Sequence, residues 1–377
     1  MKVGIVGTGF TAQAHIEALK RLHNVNIIAI SSRNLEKARA FAKKYDIRKS
    51  YDDFYALIDD EEVEVIHNCT PNHVHFDVMK YALEKNKHII SEKPLALNSK
   101  QSEQLLQLAE KSRGIAGVCF NYRFFPMVQQ LKAMISDRQH GKPFLVRGGY
   151  IQDWLLYPSD YNWRLEPEMN GPSRAIADIG SHWCDTIQFV LGKKIVAVFA
   201  DLETVHKERF KAKEEQQTFG SATSGEVEKR LISTEDFGSV LVRFEDGVKG
   251  SFTVSQVTAG RKNHFHFEIS TEQAAYYWDQ EKPNTLWIGH RDEANKELVK
   301  DPSLLDERAV KYAHYPGGHQ EGWPDALKNL FVDFYQTIEN GQIEVGSFAT
   351  IQESHHVMKL IDAILESNEK QQWITLN

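Results

Sequence analysis

The chain has 377 residues, of which 41% are apolar and 26% charged, and its formal net charge is −7 at pH 7. These values exclude a disordered chain and a coiled coil, and the length favours two or three domains. The sequence shows neither a basic stripe of the kind that binds nucleic acid nor an apolar run of the ~20 residues that span a bilayer. Its three cysteines form no CxxC pair, and its first residues already resemble a strand. We therefore expect no disulfide framework, no cleaved signal, no nucleic-acid or membrane partner, and a cytoplasmic location.

The first 122 residues alternate short apolar runs with segments in which apolar residues recur at helical spacing. The runs predicted to be strands are Val3–Val6, Val25–Ile30, Val63–Cys69, His88–Ser91 and Ile115–Phe120. Strands that alternate with helices of this length indicate βαβ units and a parallel sheet with right-handed crossovers. We therefore predict an α/β domain over residues 1–122, with a doubly wound parallel sheet.

Residues 123–377 have a different pattern and contain all seven tryptophans. Several strand-like segments follow one another between residues 143 and 278, and Asp246-Gly247 between two of them is a strong hairpin signal. One helix is predicted from about Ala177 to Leu191, with Gly192 as its C-terminal cap. Residues 207–230 are predicted to be a long hairpin tip or a mobile loop. The pattern indicates an α+β domain with a large, mostly antiparallel open sheet flanked by helices.

A glycine loop opens the first domain, where Gly7-Thr8-Gly9-Phe10-Thr11-Ala12 fits the GxGxxA form of the dinucleotide fingerprint. The first glycine allows a tight turn, and the second lets the backbone approach the pyrophosphate at the N-terminus of a helix. The loop follows a predicted strand and begins an amphipathic helix, which is the context that the motif requires. We therefore predict a Rossmann domain in which Gly7, Gly9, Phe10 and Thr11 bind a dinucleotide.

The residues at the end of the second predicted strand bear on which dinucleotide binds. An acid that accepts the ribose 2′-hydroxyl of NAD is expected there, but the chain has Ser31, Ser32 and Arg33. Two hydroxyls and an arginine suit the 2′-phosphate of NADP better. The alternative is that Arg33 points to solvent and NAD binds through other groups. We predict NADP or NAD, with NADP favoured.

Two further segments follow the third and fourth predicted strands, at the edge where open α/β sheets bind ligands. They are Thr70-Pro71-Asn72 with His75, and Glu92-Lys93-Pro94. A third segment in the second domain, Asp178-Ile179-Gly180-Ser181-His182, places a carboxylate and an imidazole four positions apart on one helix face. The residues expected to line the cofactor path are Thr70, Pro71, Asn72, His75, Glu92, Lys93, Pro94 and Asn121.

Four markers in this order resemble the Gfo/Idh/MocA oxidoreductases, the family of glucose–fructose oxidoreductase and inositol dehydrogenase. They are the glycine loop, Thr70-Pro71-Asn72 with His75, the triplet Glu92-Lys93-Pro94, and Asp178-x-Gly180-x-His182. The resemblance covers nearly the whole chain. It implies an N-terminal domain that binds NAD(P), and a C-terminal sheet through which copies of the chain form a homodimer or homotetramer. It also implies that Lys93, Asp178 and His182 surround the reacting carbon.

These implied roles agree with the chemistry of hydride transfer from a secondary alcohol, which requires a base for the hydroxyl proton. His182 is suited to accept that proton near neutral pH, and Asp178 to orient the substrate or to stabilise a charged His182. Lys93 is suited to hydrogen-bond the substrate oxygen or to share the proton transfer. The sequence leaves open whether Lys93 or His182 is the formal acid and base.

The predicted substrate segment runs from Trp154 to Arg164, where aromatic residues alternate with polar ones. Sugars and cyclitols offer C–H faces for stacking and hydroxyls for hydrogen bonds, so Trp154, Trp163 and Arg164 are predicted to bind such a ring. Arg123 is also placed to reach the substrate. The alternative interpretation is that the aromatic segment forms a dimer contact.

We therefore predict an NAD(P)-dependent oxidoreductase that acts on a secondary alcohol or ketone of a sugar, sugar derivative or cyclitol. The alternatives are an NAD-dependent glycoside hydrolase of the same superfamily and a non-catalytic regulator that senses the cofactor. No metal is expected, because His355 and His356 are adjacent in a predicted helix and do not converge on one ion.

Overall fold

The computed structural model describes residues 1–212, 227–342 and 348–376. Its strands, in chain order, are β1 (Lys2–Val6), β2 (Asn26–Ser31), β3 (Lys49–Tyr51), β4 (Val65–Asn68), β5 (His88–Ser91), β6 (Ala116–Val118), β7 (Pro143–Ile151), β8 (Ile195–Glu203), β9 (Glu208–Ala212), β10 (Val227–Leu231), β11 (Phe237–Phe244), β12 (Lys249–Ser255), β13 (His264–Thr271), β14 (Ala275–Asp279), β15 (Thr285–Gly289), β16 (Lys296–Val299), β17 (Ala349–Thr350) and β18 (Ile374–Thr375). Its α-helices are α1 (Phe10–Leu19), α2 (Leu35–Tyr45), α3 (Phe54–Asp59), α4 (Asn72–Glu84), α5 (Ser99–Ala109), α6 (Pro126–Ser136), α7 (Pro167–Asn170), α8 (Ser181–Leu191), α9 (Glu307–Val310), α10 (Trp323–Asn340) and α11 (Ile351–Lys370). No described helix has the length and hydropathy that a membrane span requires.

The chain divides into two compact units, of which the first comprises Met1–Asn121 and Trp323–Met358. Its sheet has the strand order β17-β6-β5-β4-β1-β2-β3. Strands β1 to β6 pair in parallel, in the doubly wound order of a Rossmann domain. The central strands β1 and β4 are buried almost throughout, as expected where helices cover both faces of a parallel sheet. The predicted α/β domain is confirmed.

The structure differs from the predicted division at residue 122, because residues 323–358 group with the first unit. Helix α10 packs against α1, where Arg21 Nη2 pairs with Asp325 Oδ1 at 2.7 Å. Strand β17 extends the sheet by pairing antiparallel with β6. Phe331, Phe334 and Phe348 are buried in this unit. These partners are separated by more than 200 positions along the chain, so local sequence patterns do not indicate that residues 323–358 belong to the first unit.

The second unit comprises Tyr122–Gly322 and Lys359–Asn377 and contains a sheet of order β16-β15-β14-β13-β7-β12-β11-β8-β18. Its pairs are antiparallel, except that β7 and β12 pair in parallel. Helix α8 packs on one face, where the ring of Trp183 stacks on that of Phe252 with 4.5 Å between centroids. The predicted α+β domain is confirmed. So is the turn at Asp246-Gly247, where both residues have the positive φ of a hairpin turn.

The helix predicted from Ala177 to Leu191 is two elements, because a π-helix over Ile176–Gly180 precedes α8. The Ser181 hydroxyl donates a hydrogen bond to the Ala177 carbonyl at 2.7 Å. The backbone N–H of Ser181 donates instead to the carbonyl of Ile176, five residues back. A serine that bonds to the carbonyl four residues earlier thus accompanies the wider turn, and this turn carries Asp178.

The segment predicted as a long hairpin tip begins and ends as expected, because β9 and β10 pair antiparallel with Ala212 opposite Val227. Residues 213–226 of that prediction lie outside the described residues.

Candidate active site

The cofactor side of the predicted site lies in the first unit, where the parallel strands end in register. Val6 of β1 is aligned with Ser31 of β2 and Asn68 of β4, and Ser91 of β5 with Asn68 and with Val118 of β6. The predicted segments follow directly after these strand ends. This edge therefore brings together the glycine loop, Ser31 to Arg33, Thr70 to Asn72, the Glu92 triplet and Asn121.

The two glycines of the loop differ in what surrounds them. Gly7 has φ +112°, its N–H donates to the Ser31 carbonyl at 2.9 Å, and a Cβ there would lie 2.6 Å from the Cys69 carbonyl oxygen. A Cβ on Gly9 would meet no described atom within 4 Å, and Gly9 directly precedes α1. Gly7 is therefore required by the fold, whereas Gly9 leaves open space at a helix N-terminus, where an anion would bind.

The neighbouring residues of the cofactor edge differ in exposure. Phe10 begins α1 with an exposed ring, and the Thr11 hydroxyl hydrogen-bonds the buried Cys69 thiol. Ser31 is buried and Arg33 is exposed. Ser32 lies between them with its hydroxyl 3.5 Å from that of Thr8, so the loop and the end of β2 are neighbours.

The segment after β4 is tied to the segment after β5 by His75. This buried ring has Nδ1 2.7 Å from the Pro94 carbonyl oxygen and Nε2 2.9 Å from the Thr70 carbonyl oxygen. Burial holds the pKa of His75 below its usual value. Pro71 caps α4 and Asn72 is its buried first residue. A neutral His75 ring has one N–H and donates to only one of these two carbonyls, so it hydrogen-bonds one loop and contacts the other.

Glu92 is the partly buried acid of the Glu92-Lys93-Pro94 triplet, and the bond between Lys93 and Pro94 is cis. Its Oε2 accepts the backbone N–H of Lys93 at 3.3 Å, and its Oε1 lies 3.0 Å from His15 Nε2 on α1. Burial raises the pKa of Glu92, but the hydrogen bond with His15 and the nearby charge of Lys93 outweigh this and leave the pKa below its ordinary value. Glu92 is therefore an ionised acceptor that links α1 to the backbone of Lys93.

A chain of buried hydrogen bonds leads from Glu92 across the unit. His15 Nδ1 lies 3.0 Å from His67 Nδ1, and His67 Nε2 lies 2.9 Å from the Tyr335 hydroxyl on α10. Because the carboxylate only accepts, a neutral His15 donates to it from Nε2 and accepts at Nδ1. His67 then donates to His15, and Tyr335 donates to His67. Burial and the neighbouring His15 hold the pKa of His67 well below its usual value, which agrees with a neutral ring.

The substrate side of the predicted site lies in the second unit, around Asp178 in the π-helix. Asp178 Oδ2 accepts from Gln256 Nε2 at 3.0 Å, and Asp178 Oδ1 lies 3.5 Å from Arg164 Nε. The Arg164 guanidinium lies over the ring of Trp163, 4.4 Å from its centroid. The structure therefore brings Asp178, Arg164 and Trp163 together, as a site for a polar ring would require.

His182 lies one turn after Asp178, against an aromatic and amide cluster. Its ring meets that of Tyr122 edge-on at 4.8 Å between centroids. The Tyr122 and Tyr150 hydroxyls are 2.7 Å apart, and Asn263 hydrogen-bonds both of them. Burial raises the pKa of Tyr122 to about 12, and that of Tyr150 well above its usual value, so both keep their protons at neutral pH.

Two predicted substrate residues have other partners in the structure. Arg123 forms a two-pronged ion pair with Asp185, with Nε–Oδ2 at 2.8 Å and Nη2–Oδ1 at 2.6 Å, and both side chains are buried. Two of the three guanidinium nitrogens of Arg123 thus face Asp185, and its contact with substrate stays a prediction. Trp154 donates from Nε1 to Gln152 and packs against the small apolar cluster of Leu155, Leu165 and Ile232.

Comparison with known proteins agrees with this geometry. The model of an oxidoreductase family with an NAD-binding Rossmann fold matches residues 1–120, and that of the GFO/IDH/MocA C-terminal domain matches residues 128–277. The chain belongs to the Gfo/Idh/MocA family of oxidoreductases. Levoglucosan dehydrogenase of Pseudarthrobacter phenanthrenivorans is 29% identical over 99% of this chain and 97% of its own. Glucose-6-phosphate 3-dehydrogenase of Bacillus subtilis is 23% identical over 95% of both chains.

Solved structures extend the comparison to the fold. Levoglucosan dehydrogenase in complex with NADH and levoglucosan matches with a TM-score of 0.89 and 26% identity, over 100% of this chain and 99% of the other. The predicted resemblance to Gfo/Idh/MocA oxidoreductases is confirmed. The chain is thus an NAD-binding dehydrogenase of this family.

The first unit fits the dinucleotide that Gfo/Idh/MocA oxidoreductases use. Beside the open space at Gly9, the buried Ser31 hydroxyl and the buried Asn121 side-chain amide nitrogen have no hydrogen-bond partner among the described residues. Buried polar atoms are normally satisfied, so both atoms suit a ligand at the strand ends. The residues that would hold the cofactor on these observations are Gly9, Ser31 and Asn121.

Sequence reasoning missed His15 and Gln256, although both follow a detectable pattern. His15 lies on the buried face of α1 with Ala12, Ile16 and Leu19. Gln256 continues the inward-facing alternation of Phe252 and Val254 just after β12. A polar residue at a core position of such a pattern requires a polar partner, which is the signal that would have identified both.

Proposed function

We propose that this dehydrogenase oxidises a secondary alcohol of a sugar, sugar derivative or cyclitol, and catalyses the reverse reduction. The supporting observation is the geometry around Asp178, where a carboxylate oriented by Gln256 and Arg164 lies beside an aromatic face and one turn before His182. The named relatives act on levoglucosan and glucose 6-phosphate, which agrees with this substrate class.

The bound cofactor would accept hydride from the carbinol carbon. His182 removes the hydroxyl proton, and Asp178 stabilises the resulting imidazolium or orients the ring hydroxyls. Lys93 hydrogen-bonds the substrate oxygen or shares the proton transfer with His182. Trp163 and Arg164 provide the face and the donors that bind the ring.

The preferred cofactor is the second part of the proposal. Arg33 is exposed and Ser32 precedes it, so both are available to a 2′-phosphate, and NADP remains the prediction from these residues. The solved levoglucosan dehydrogenase holds NADH, so NAD is the alternative. Dissociation constants for NADPH and NADH, measured by nicotinamide fluorescence, distinguish the two. Tighter binding of NADH would overturn the NADP preference and leave the reaction class unaffected.

The sheet of the second unit is the surface through which we propose that copies of the chain form a homodimer or homotetramer. Its outer face carries exposed Leu145 and Leu241, and Arg147 pairs with Glu268 on the same face. Light scattering on the purified chain and on Leu241→Asp tests this, because a charge at the centre of an apolar contact should dissociate the oligomer. We also propose a cytoplasmic location, which the free, buried Cys69, Cys119 and Cys184 fit.

The reaction is tested with a panel of levoglucosan, glucose 6-phosphate, myo-inositol and L-sorbose, each with both cofactors, by absorbance of the reduced nicotinamide. Lys93→Ala and His182→Ala should each lower turnover by ~10²–10⁴-fold, the range that general acid–base groups supply. Lys100→Ala and His23→Ala, at exposed positions, are the matched controls and should retain wild-type turnover.

Three other outcomes would reject parts of the proposal. Wild-type turnover in both site variants would discard the catalytic assignment. Release of an aglycone without net change in nicotinamide absorbance would indicate a glycoside hydrolase. Cofactor binding without turnover of any compound would indicate a regulator.

A further inference from the structure

A fully buried cluster of charges lies behind the substrate side of the second unit. Asp236 Oδ1 accepts from Arg174 Nη2 at 2.5 Å and from Arg209 Nη2 at 2.7 Å, and all three side chains are 0% exposed. Asp236 Oδ2 accepts the backbone N–H of His206 at 3.0 Å. Both carboxylate oxygens are therefore bonded, and two guanidinium groups share one anion.

Arg209 connects this cluster to the segment that contains the predicted substrate residues. Its Nη1 donates to the carbonyls of Tyr157 at 2.9 Å and Asp160 at 3.1 Å, and its Nη2 donates to the carbonyl of Leu155 at 2.9 Å. A single buried guanidinium thus fixes the backbone of the loop between Trp154 and Trp163 at three points.

Arg174 connects the same cluster to Gln256. Arg174 Nη1 donates to Gln256 Oε1 at 3.1 Å. Because a guanidinium has only donors, the amide oxygen of Gln256 must face it, and the amide nitrogen must face Asp178. The backbone of Gln256 is also held, since its N–H donates to the Asp236 carbonyl and its carbonyl accepts the Leu155 N–H. A flip of the side-chain amide would bring donor against donor at Arg174.

We propose that Gln256 is a positioning residue that holds Asp178 as an oriented hydrogen-bond acceptor, with Arg174 and Asp236 fixing the direction of its amide. This inference rests on the proposed function, because it concerns the carboxylate assigned there to the reaction. Gln256 and Arg164 both present donors to Asp178, and each of these contacts favours the ionised carboxylate. Among the described residues, the charged or titratable groups near Asp178 include Arg164, Tyr122 and Tyr150, and His182 follows one turn later in the chain.

Gln256→Glu is the discriminating variant. It retains the size of the side chain and an acceptor for Arg174, but an ionised Glu cannot donate to Asp178 and places a second carboxylate beside it. We expect kcat/KM to fall about 10- to 100-fold, the scale of a misplaced reacting group. The acid limb of kcat/KM against pH should move to higher pH, because neighbouring carboxylates resist joint ionisation. A purely structural role for Gln256 would change stability and leave this limb in place.

A second variant and a control complete the experiment, run on the full chain with the panel compound that is turned over fastest. Gln256→Met removes the donor without adding charge, so we expect a comparable loss of kcat/KM with a smaller shift of the limb. Gln130→Glu is the matched control, because Gln130 is also buried and its oxygen accepts from the Asp306 N–H, a role that Glu preserves. It should leave both kcat/KM and the pH profile unchanged.

Asp178→Asn separates the inference from the function on which it rests. If Asp178→Asn is impaired while both Gln256 variants have wild-type kcat/KM and pH profiles, the inference is overturned and the proposed function stands. If Asp178→Asn itself retains wild-type turnover, the proposed role of Asp178 fails first.

Discussion

Replacement of Asp236 by Asn tests the buried charge cluster most directly. The substitution preserves the size of the side chain and removes the anion that Arg174 and Arg209 share, whose side chains are 0% exposed. The amide can still accept through its oxygen, but its nitrogen then faces either a guanidinium or the His206 N–H, both of which are donors. Breaking a buried ion pair by neutralising one partner costs about 3–5 kcal/mol, because an uncompensated charge remains in the interior.

The assay is urea unfolding of the full chain, followed by tryptophan fluorescence. Typical domains are stable by about 5–15 kcal/mol, so a loss of this size should lower the unfolding midpoint markedly. Asp246→Asn is the matched control, because Asp246 is an exposed acid that pairs with Lys193, and we expect no measurable change in its midpoint. A midpoint for Asp236→Asn equal to that of the control would refute the reasoning.

The difference in stability between the wild type and Asp236→Asn should change with pH in a defined direction. Burial raises the pKa of Asp236, but the charge of Arg174, the His206 N–H and the charge of Arg209 outweigh it and hold the pKa below the ordinary 3.8. A carboxyl whose pKa is lowered by folding stabilises the protein above its unfolded pKa, and loses that contribution as pH falls through the folded value. The wild type should therefore exceed Asp236→Asn in stability at neutral pH, and the difference should shrink below about pH 4.

Two further predictions concern the cofactor side. Gly7→Ala should destabilise the first unit, because the backbone there has φ +112° and the new Cβ would lie 2.6 Å from the Cys69 carbonyl oxygen. Gly9→Ala should preserve the unfolding midpoint and weaken cofactor binding, since its Cβ meets only open space. Measuring both midpoints and NADH titrations checks this, and equal midpoints would contradict it. His15→Leu should lower the free energy of unfolding by about 3 kcal/mol and reduce kcat, because the partly buried Glu92 carboxylate loses its side-chain donor. Unchanged urea midpoint and turnover would show that Glu92 does not need His15.

The local sequence pattern predicted most of the fold, because the hydrophobic periodicity of each strand or helix is visible within a few consecutive residues. The parallel strands of the first unit and the Asp246-Gly247 hairpin are examples. The return of residues 323–358 to the first unit was not predicted, because it depends on contacts such as Ala349 with Val118, between distant parts of the chain. The π-helix at Asp178 was also missed, because the hydrogen bond from the Ser181 hydroxyl to the Ala177 carbonyl that accompanies it leaves no mark in the local pattern.

The predicted site residues divide according to the kind of interaction that holds them. Motif residues such as Gly7 and Lys93 are recognisable because their chemistry depends on residue type and spacing. A guanidinium suits a substrate and a buried carboxylate equally well, so the sequence did not indicate that Arg123 pairs with Asp185. Gln256 carries no motif, and its role follows from what lies on either side of its amide.

In both units, a charged side chain sets the hydrogen-bond direction of a neighbouring imidazole or amide. An imidazole or an amide can present a donor or an acceptor, so its direction must be set by a neighbour that has no such choice. In the first unit the carboxylate of Glu92 sets the direction of His15 and His67. In the second unit the guanidinium of Arg174 sets the direction of Gln256. In each unit, a charged side chain thus sets the direction of the hydrogen bonds made by its neutral neighbours. The groups next to Lys93 and Asp178 are therefore oriented before any substrate binds.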